Sequence, residues 1–159
     1  MRFLVWIFVV PHLLLLDGWL AQRFGPWLDF TLAICLYLGL YARQGALPLL
    51  LVSTGLFRSV VVEGAAALQV LALGIPIGML VALRPVLARH HLLWQALAAA
   101  FLALAVPRVT LLLGRLAGED VQAATPTPAV LLVTLVAVPL LAWLLRVLPP
   151  GRAFVERSE

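Results

Sequence analysis

The sequence predicts an all-α integral membrane protein, a bundle of about six transmembrane helices with both termini cytoplasmic. Three observations lead there. Of 159 residues, 64% are hydrophobic and 11% are charged, against roughly half and a quarter in a soluble domain. A chain this short cannot bury so much apolar surface within itself, so the excess has to face lipid. The apolar residues also come in runs that approach the roughly 17–25 residues of a spanning helix. Stretches such as 47–51 and 130–135 are apolar on both parities, which excludes the alternating pattern of a membrane β-barrel.

The elements follow in order. The first apolar segment, 3–20, is interrupted by Pro11, His12 and Asp17. No small-x-small cleavage site follows it, so it reads as a retained helix rather than a signal peptide. Gly25-Pro26 marks a turn before the second segment, 27–41. Arg43-Gln44-Gly45 is a polar break, and the third segment occupies 46–62. Glu63-Gly64 is a tighter break, so the third segment and the fourth, 65–83, are expected to form a helical hairpin. Two arginines, a proline and two histidines separate the fourth from the fifth, 92–113. The longest connection ends in Thr125-Pro126-Thr127-Pro128, which cannot be helical throughout. The sixth segment runs over 129–148. The second and third are short for a full span, which a small tilt or a thin bilayer would accommodate. Residues 1–148 thus make one transmembrane domain, and 149–159 a short, loose cytoplasmic tail. The pattern shows no internal repeat of the kind that builds many transporters.

Orientation follows from arginine, which supplies all 11 basic residues. With the N-terminus inside, Arg2, Arg43, Arg84, Arg89, Arg146, Arg152 and Arg157 are cytoplasmic, and Arg23 and Arg115 are outside. Short cytoplasmic loops carry such an excess. The net charge of +4 therefore reads as membrane orientation, not nucleic-acid binding. Trp6, Trp19, Trp27, Trp94 and Trp143 fall near segment ends, where interfacial anchors are expected.

The residues most informative about function are charges inside apolar segments. An arginine at mid-bilayer costs roughly 2.5–3.5 kcal/mol on insertion scales, so such residues are functional suspects. Asp17, Arg58, Glu63 and Arg108 all fall near the outer ends of their segments. Two acids and two bases at one depth suggest an ion-paired cluster between the first, third and fifth helices, placed to dock a partner or a ligand. Three readings stay open: arginines that snorkel to the outer headgroups, a polar pocket open to the outside, and a structural ion pair.

Other chemistry finds little support. Cys35 stands alone, and the histidines show no spacing suited to haem or a metal. No serine has a base and an orienting acid at its depth. Ser53, Thr54 and Ser59 are expected to bond backbone carbonyls. No glycine-rich phosphate loop is present. The expectation is a protein without catalytic residues or cofactor. Gly74 and Gly78, with Pro76 between them, and Ala96, Ala99, Ala100 and Ala103 give small-residue faces, read as packing within the bundle ahead of a dimer interface.

Three local patterns carry a resemblance to a known family. They are Gly55-Leu56-Phe57-Arg58 followed by a turn with Gly64; Leu83-Arg84-Pro85 leading to Arg89-His90-His91 and Gln95-Ala96-Leu97; and Thr134 followed by Pro139 and Trp143-Leu144-Leu145-Arg146. With length and helix number, they make the chain resemble the MreD family, small membrane subunits of the bacterial rod-shape machinery. Members often carry an acid soon after the helix-three Gly-Leu, where this chain has Ser59 and its nearest acid is Glu63. The resemblance implies an S-component-like six-helix fold in the bacterial inner membrane. It implies a non-enzymatic scaffold in cell elongation and peptidoglycan synthesis. It implies an MreC-like bitopic partner, working alongside MreB, RodA and a class B penicillin-binding protein.

The alternative is a solute-binding membrane subunit of an energy-coupling-factor-type transporter, similar in size and helix number. Such subunits typically carry alanine-x-x-x-alanine on the first helix, and segment 3–20 contains no alanine. A lipid-active enzyme ranks lower still, and no helix carries a polar stripe that would line a channel.

Overall fold

The computed structural model describes residues 2–24, 29–62, 65–85, 92–119, 126–147 and 154. The described residues form six helices and no strand: α1 Arg2–Phe24, α2 Phe30–Leu40, α3 Leu47–Val61, α4 Ala66–Leu83, α5 Leu92–Ala117 and α6 Pro128–Val147. Four of them, α1, α4, α5 and α6, are long and apolar enough to cross a membrane. Helices α2 and α3, at 11 and 15 residues, are shorter.

The architecture turns on α2. Every residue from Thr31 to Leu40 is buried, and α2 packs against each of the other five helices. It is the axis of the bundle. At 1.5 Å per residue it is about 16 Å long, roughly half the thickness of a hydrocarbon core. A lipid-facing helix of that length would leave its ends unsatisfied in hydrocarbon. Enclosed by protein, α2 needs only partners for its terminal N–H and C=O groups. Its shortness therefore reflects its central position, where a small tilt or thin bilayer had been expected to account for it.

Close approaches fix the register. A Cβ added at Gly55 on α3 would lie 2.5 Å from Val70 Cγ2 and 2.8 Å from Val70 Cα on α4, so the two backbones touch there. Leu51 Cδ2 would lie 3.3 Å from a Cβ at Gly74, consistent with an antiparallel α3–α4 pair. A Cβ at Gly39 would lie 2.9 Å from Leu80 Cδ1, which sets α2 beside α4 with their C-termini together. Gly78 has nothing within 4 Å, so the tightest glycine contact in the bundle belongs to Gly55. Of the small-residue face of α5, Ala99 and Ala103 are buried in the core, while Ala96 and Ala100 are half-buried.

The outer faces are apolar. Phe8, Val60, Leu92, Leu116 and Val136 are among many large side chains left exposed, far more than a soluble monomer presents. Trp19 and Trp143 are exposed, whereas Trp6 is buried at 1%. Trp6 is therefore not the interfacial anchor it was expected to be. Its ring packs 5.8 Å from that of Tyr37 and edge-on to Phe154 at 6.2 Å. Phe154 lies in the tail expected to be loose, and its carbonyl accepts a 2.7 Å bond from the Arg43 N–H.

Helix ends differ from expectation where capping extends them. Helix α5 continues to Ala117, four residues past the expected boundary, and stops at Gly118 with φ +72°. Gly118 N–H bonds Arg115 O and Glu119 N–H bonds Gly114 O, a Schellman ending that needs glycine at the left-handed position. Ser53 and Thr54 donate to Leu50 O at 2.9 and 2.7 Å, and Ser59 to Leu56 O at 2.7 Å, the backbone bonding expected of them.

Candidate functional site

Two side chains from other helices close the ends of α2. At the N-terminus, Asp29 caps its own helix, accepting the Leu32 N–H at 3.0 Å. Asp17 reaches across from α1 and accepts the Phe30 N–H at 3.1 Å. The Thr31 hydroxyl lies within reach of both carboxylates and can donate to one of them at a time. At the C-terminus, Arg84, at the end of α4 and only 4% exposed, donates Nε to Gly39 O at 2.5 Å and Nη2 to Leu38 O at 2.7 Å. Acids at the positive end of a helix and a base at its negative end each favour the helix dipole. They also satisfy groups that water would satisfy in a soluble protein.

Arg58 enters the same N-terminal region from α3. Its charge acts on Asp17, on Asp29 and on Cys35, more than a turn into α2. Its Nε and Nη1 atoms are buried and have no hydrogen-bond partner. The guanidinium thus turns inward, not outward toward headgroups.

Of the four residues expected to cluster, Asp17 and Arg58 come together. Arg108 is exposed on α5, and the groups acting on Asp17 are Asp29, Phe30, Arg58 and Thr31. The cluster between α1, α3 and α5 is corrected accordingly: it joins α1, α2 and α3. Glu63 lies outside the described residues. The residue that sequence reasoning missed is Asp29. It had been absorbed into an apolar span at 27–41, although an aspartate directly before Phe30-Thr31-Leu32 is an N-cap signal. Arg84 was missed too, as one loop arginine among several.

Gln69, three residues into α4, is 0% exposed, and neither its Nε2 nor its Oε1 has a partner. His12 bonds the Phe8 carbonyl one turn back at 2.6 Å. Among the described residues, no three His, Cys, Asp or Glu side chains converge as metal ligands would. Comparison with protein-family models, curated proteins and solved structures finds no match for the chain.

Proposed function

We propose that the chain is a multi-pass inner-membrane scaffold subunit of the bacterial cell-elongation machinery, MreD-like and without catalytic activity. In this reading all six helices traverse the bilayer and both termini face the cytoplasm. Its partner is an MreC-like bitopic protein, with MreB, RodA and a class B penicillin-binding protein in the same assembly.

The observation that carries the reading is the sealed central helix. Three of the charges at membrane depth, Asp17, Asp29 and Arg84, bind the ends of α2. They hold a framework together and do not line a passage. The resembling motifs fall on the same framework. Gly55 is where α3 and α4 touch, Arg58 turns toward the α2 N-terminus, and Arg84 closes the α2 C-terminus. A rigid bundle with an apolar outer surface is suited to presenting helix faces to partner helices.

The test is loss of the gene in its own host together with purification of the tagged protein. Rounded cells and recovery of a bitopic partner with a periplasmic domain are expected. Normal rods and no such partner would refute the scaffold. One observation favours the transporter-subunit alternative: the unpartnered polar atoms of Arg58 and Gln69 near the outer end of the bundle. A small solute co-purifying in fixed ratio would decide for it.

A further inference from the structure

We infer that the outer end of the bundle holds a binding site for one organic cation that carries a neutral hydrogen-bond acceptor beside its charge. The site comprises Asp17, Asp29, Arg58 and Gln69.

The register brings these residues to one level. Counting along parallel α2 and α4 from the Gly39–Leu80 contact, Asp29 falls level with Val70, the residue after Gln69. Counting along antiparallel α3 and α4 from Gly55 and Val70, Arg58 falls level with Ala67. A helical side chain leans back toward its own N-terminus. The Arg58 guanidinium therefore leans toward the level of Gln69. Gln69 lies on the buried face of α4, with Ala72, Leu73, Pro76, Ile77 and Leu80. Leu80 of that face meets α2 at Gly39, so the face is turned toward α2.

Charge and hydrogen-bond inventories then specify the occupant. With both carboxylates ionised, two of them against one guanidinium leave a net charge of about −1 among the described residues in a region of low dielectric; this favours a single positive charge, and a bound cation in turn holds the carboxylates in their charged form. Arg58 Nε and Nη1 and Gln69 Nε2 are donors lacking acceptors, and Gln69 Oε1 is an acceptor lacking a donor. A proton on one aspartate would balance the charge and offer a donor to Gln69 Oε1, but it would add no acceptor for the Arg58 Nε, Arg58 Nη1 and Gln69 Nε2 donors. A bare metal cation would likewise leave the Arg58 donors unmet. An anion would satisfy Arg58 but deepen the negative charge. An ammonium or guanidinium group with a carbonyl or hydroxyl next to it meets both needs. The site assignment does not depend on the scaffold reading.

The test uses the full-length protein in detergent at neutral pH, with thermal unfolding as the readout. The probes are glycinamide (ammonium plus neutral carbonyl), methylammonium, glycine and acetamide. Glycinamide is expected to raise the midpoint saturably. Methylammonium should bind about tenfold more weakly or less well still, since it lacks the acceptor, and glycine and acetamide should not bind. Asp17→Asn keeps an oxygen for the Phe30 N–H and removes the charge, so it should weaken glycinamide at least about tenfold. Gln69→Leu should stabilise the unliganded protein while weakening glycinamide, an outcome that misfolding cannot mimic. If glycinamide does not bind saturably, or if Asp17→Asn binds glycinamide as wild type does, the inference is overturned.

Discussion

Replacing Arg84 tests the central claim about the fold, that a half-length helix is held inside the bundle by charges from its neighbours. Arg84→Met keeps the length of the side chain and removes both bonds to Leu38 O and Gly39 O. Bonds to a charged donor are worth about 1.5–3 kcal/mol each. Buried carbonyls left without a partner represent the same loss seen from the other side, so the two are not added. Losing a cation near the helix C-terminus adds about 0.3–1 kcal/mol. The sum is about 3–7 kcal/mol, at or beyond the upper end for a single substitution. Arg84→Lys retains the charge but can serve only one carbonyl well, and should lose about half as much. Arg115→Met, at an exposed arginine on α5, is the control. The assay is at hand in the chain, because its single cysteine, Cys35, is 0% exposed at the middle of α2. Pulse alkylation of Cys35 across an SDS titration reports opening around α2 directly. Methionine is expected to shift the labelling midpoint most, lysine less, and the control not at all. Arg84→Met unfolding within about 0.5 kcal/mol of Arg115→Met would refute the claim that Arg84 closes α2.

Other expectations follow from the same contacts. Asp17→Leu should cost about 1–2 kcal/mol in the same assay, because the Phe30 N–H loses its acceptor, while Asp17→Asn should cost less than half of that. Gly55→Ala should cost about 2–3 kcal/mol, since a Cβ there meets the Val70 backbone, whereas Gly78→Ala should be neutral or slightly stabilising in the unfolding midpoint. Native Cys35 should resist a membrane-permeant maleimide that labels it fully once unfolded, and rapid native labelling would remove α2 from the centre. Green fluorescent protein fused after Arg157 should fluoresce and alkaline phosphatase there should be inactive, if both termini are cytoplasmic.

Hydrophobic runs and polar breaks in the sequence made all six helices legible, because lipid-facing and core-facing side chains are both apolar and leave little ambiguity about what is embedded. The same property hid the arrangement. An apolar residue looks alike whether it meets lipid or another helix, so nothing in the run 30–40 announced that α2 is enclosed while Leu4 and Phe8 of α1 face outward. Depth was readable from position along a segment, and Asp17 and Arg58, expected in one cluster, both lie toward the α2 N-terminal region. Direction around the helix axis was not, and so Arg108, at a similar depth, was grouped with them although it points away. Asp29 and Arg84 were overlooked for a related reason. Each sits beside a break in hydropathy, where a charge is ordinarily solvated, and only the short length of α2 makes both into buried caps.

A charge within a membrane protein invites a functional reading because its burial is expensive. That inference weakens once the charge has a structural task, and here the tasks can be assigned. Asp29 and Arg84 would be required by any helix of this length enclosed at the bundle centre, whatever the protein did, and Asp17 adds a second acceptor where α2 begins. Arg58 and Gln69 are different. The α2 N-terminus is capped without them, α3 and α4 would pack at Gly55 without them, and each retains buried polar atoms that the fold does not satisfy. Leaving such atoms unbonded costs about 1–3 kcal/mol for each group, so a leucine or methionine at either position would give a more stable bundle. Retaining them at that cost is what binding demands and stability alone does not. The functional weight therefore rests on Arg58 and Gln69, with the aspartates supplying the charge that selects what binds there.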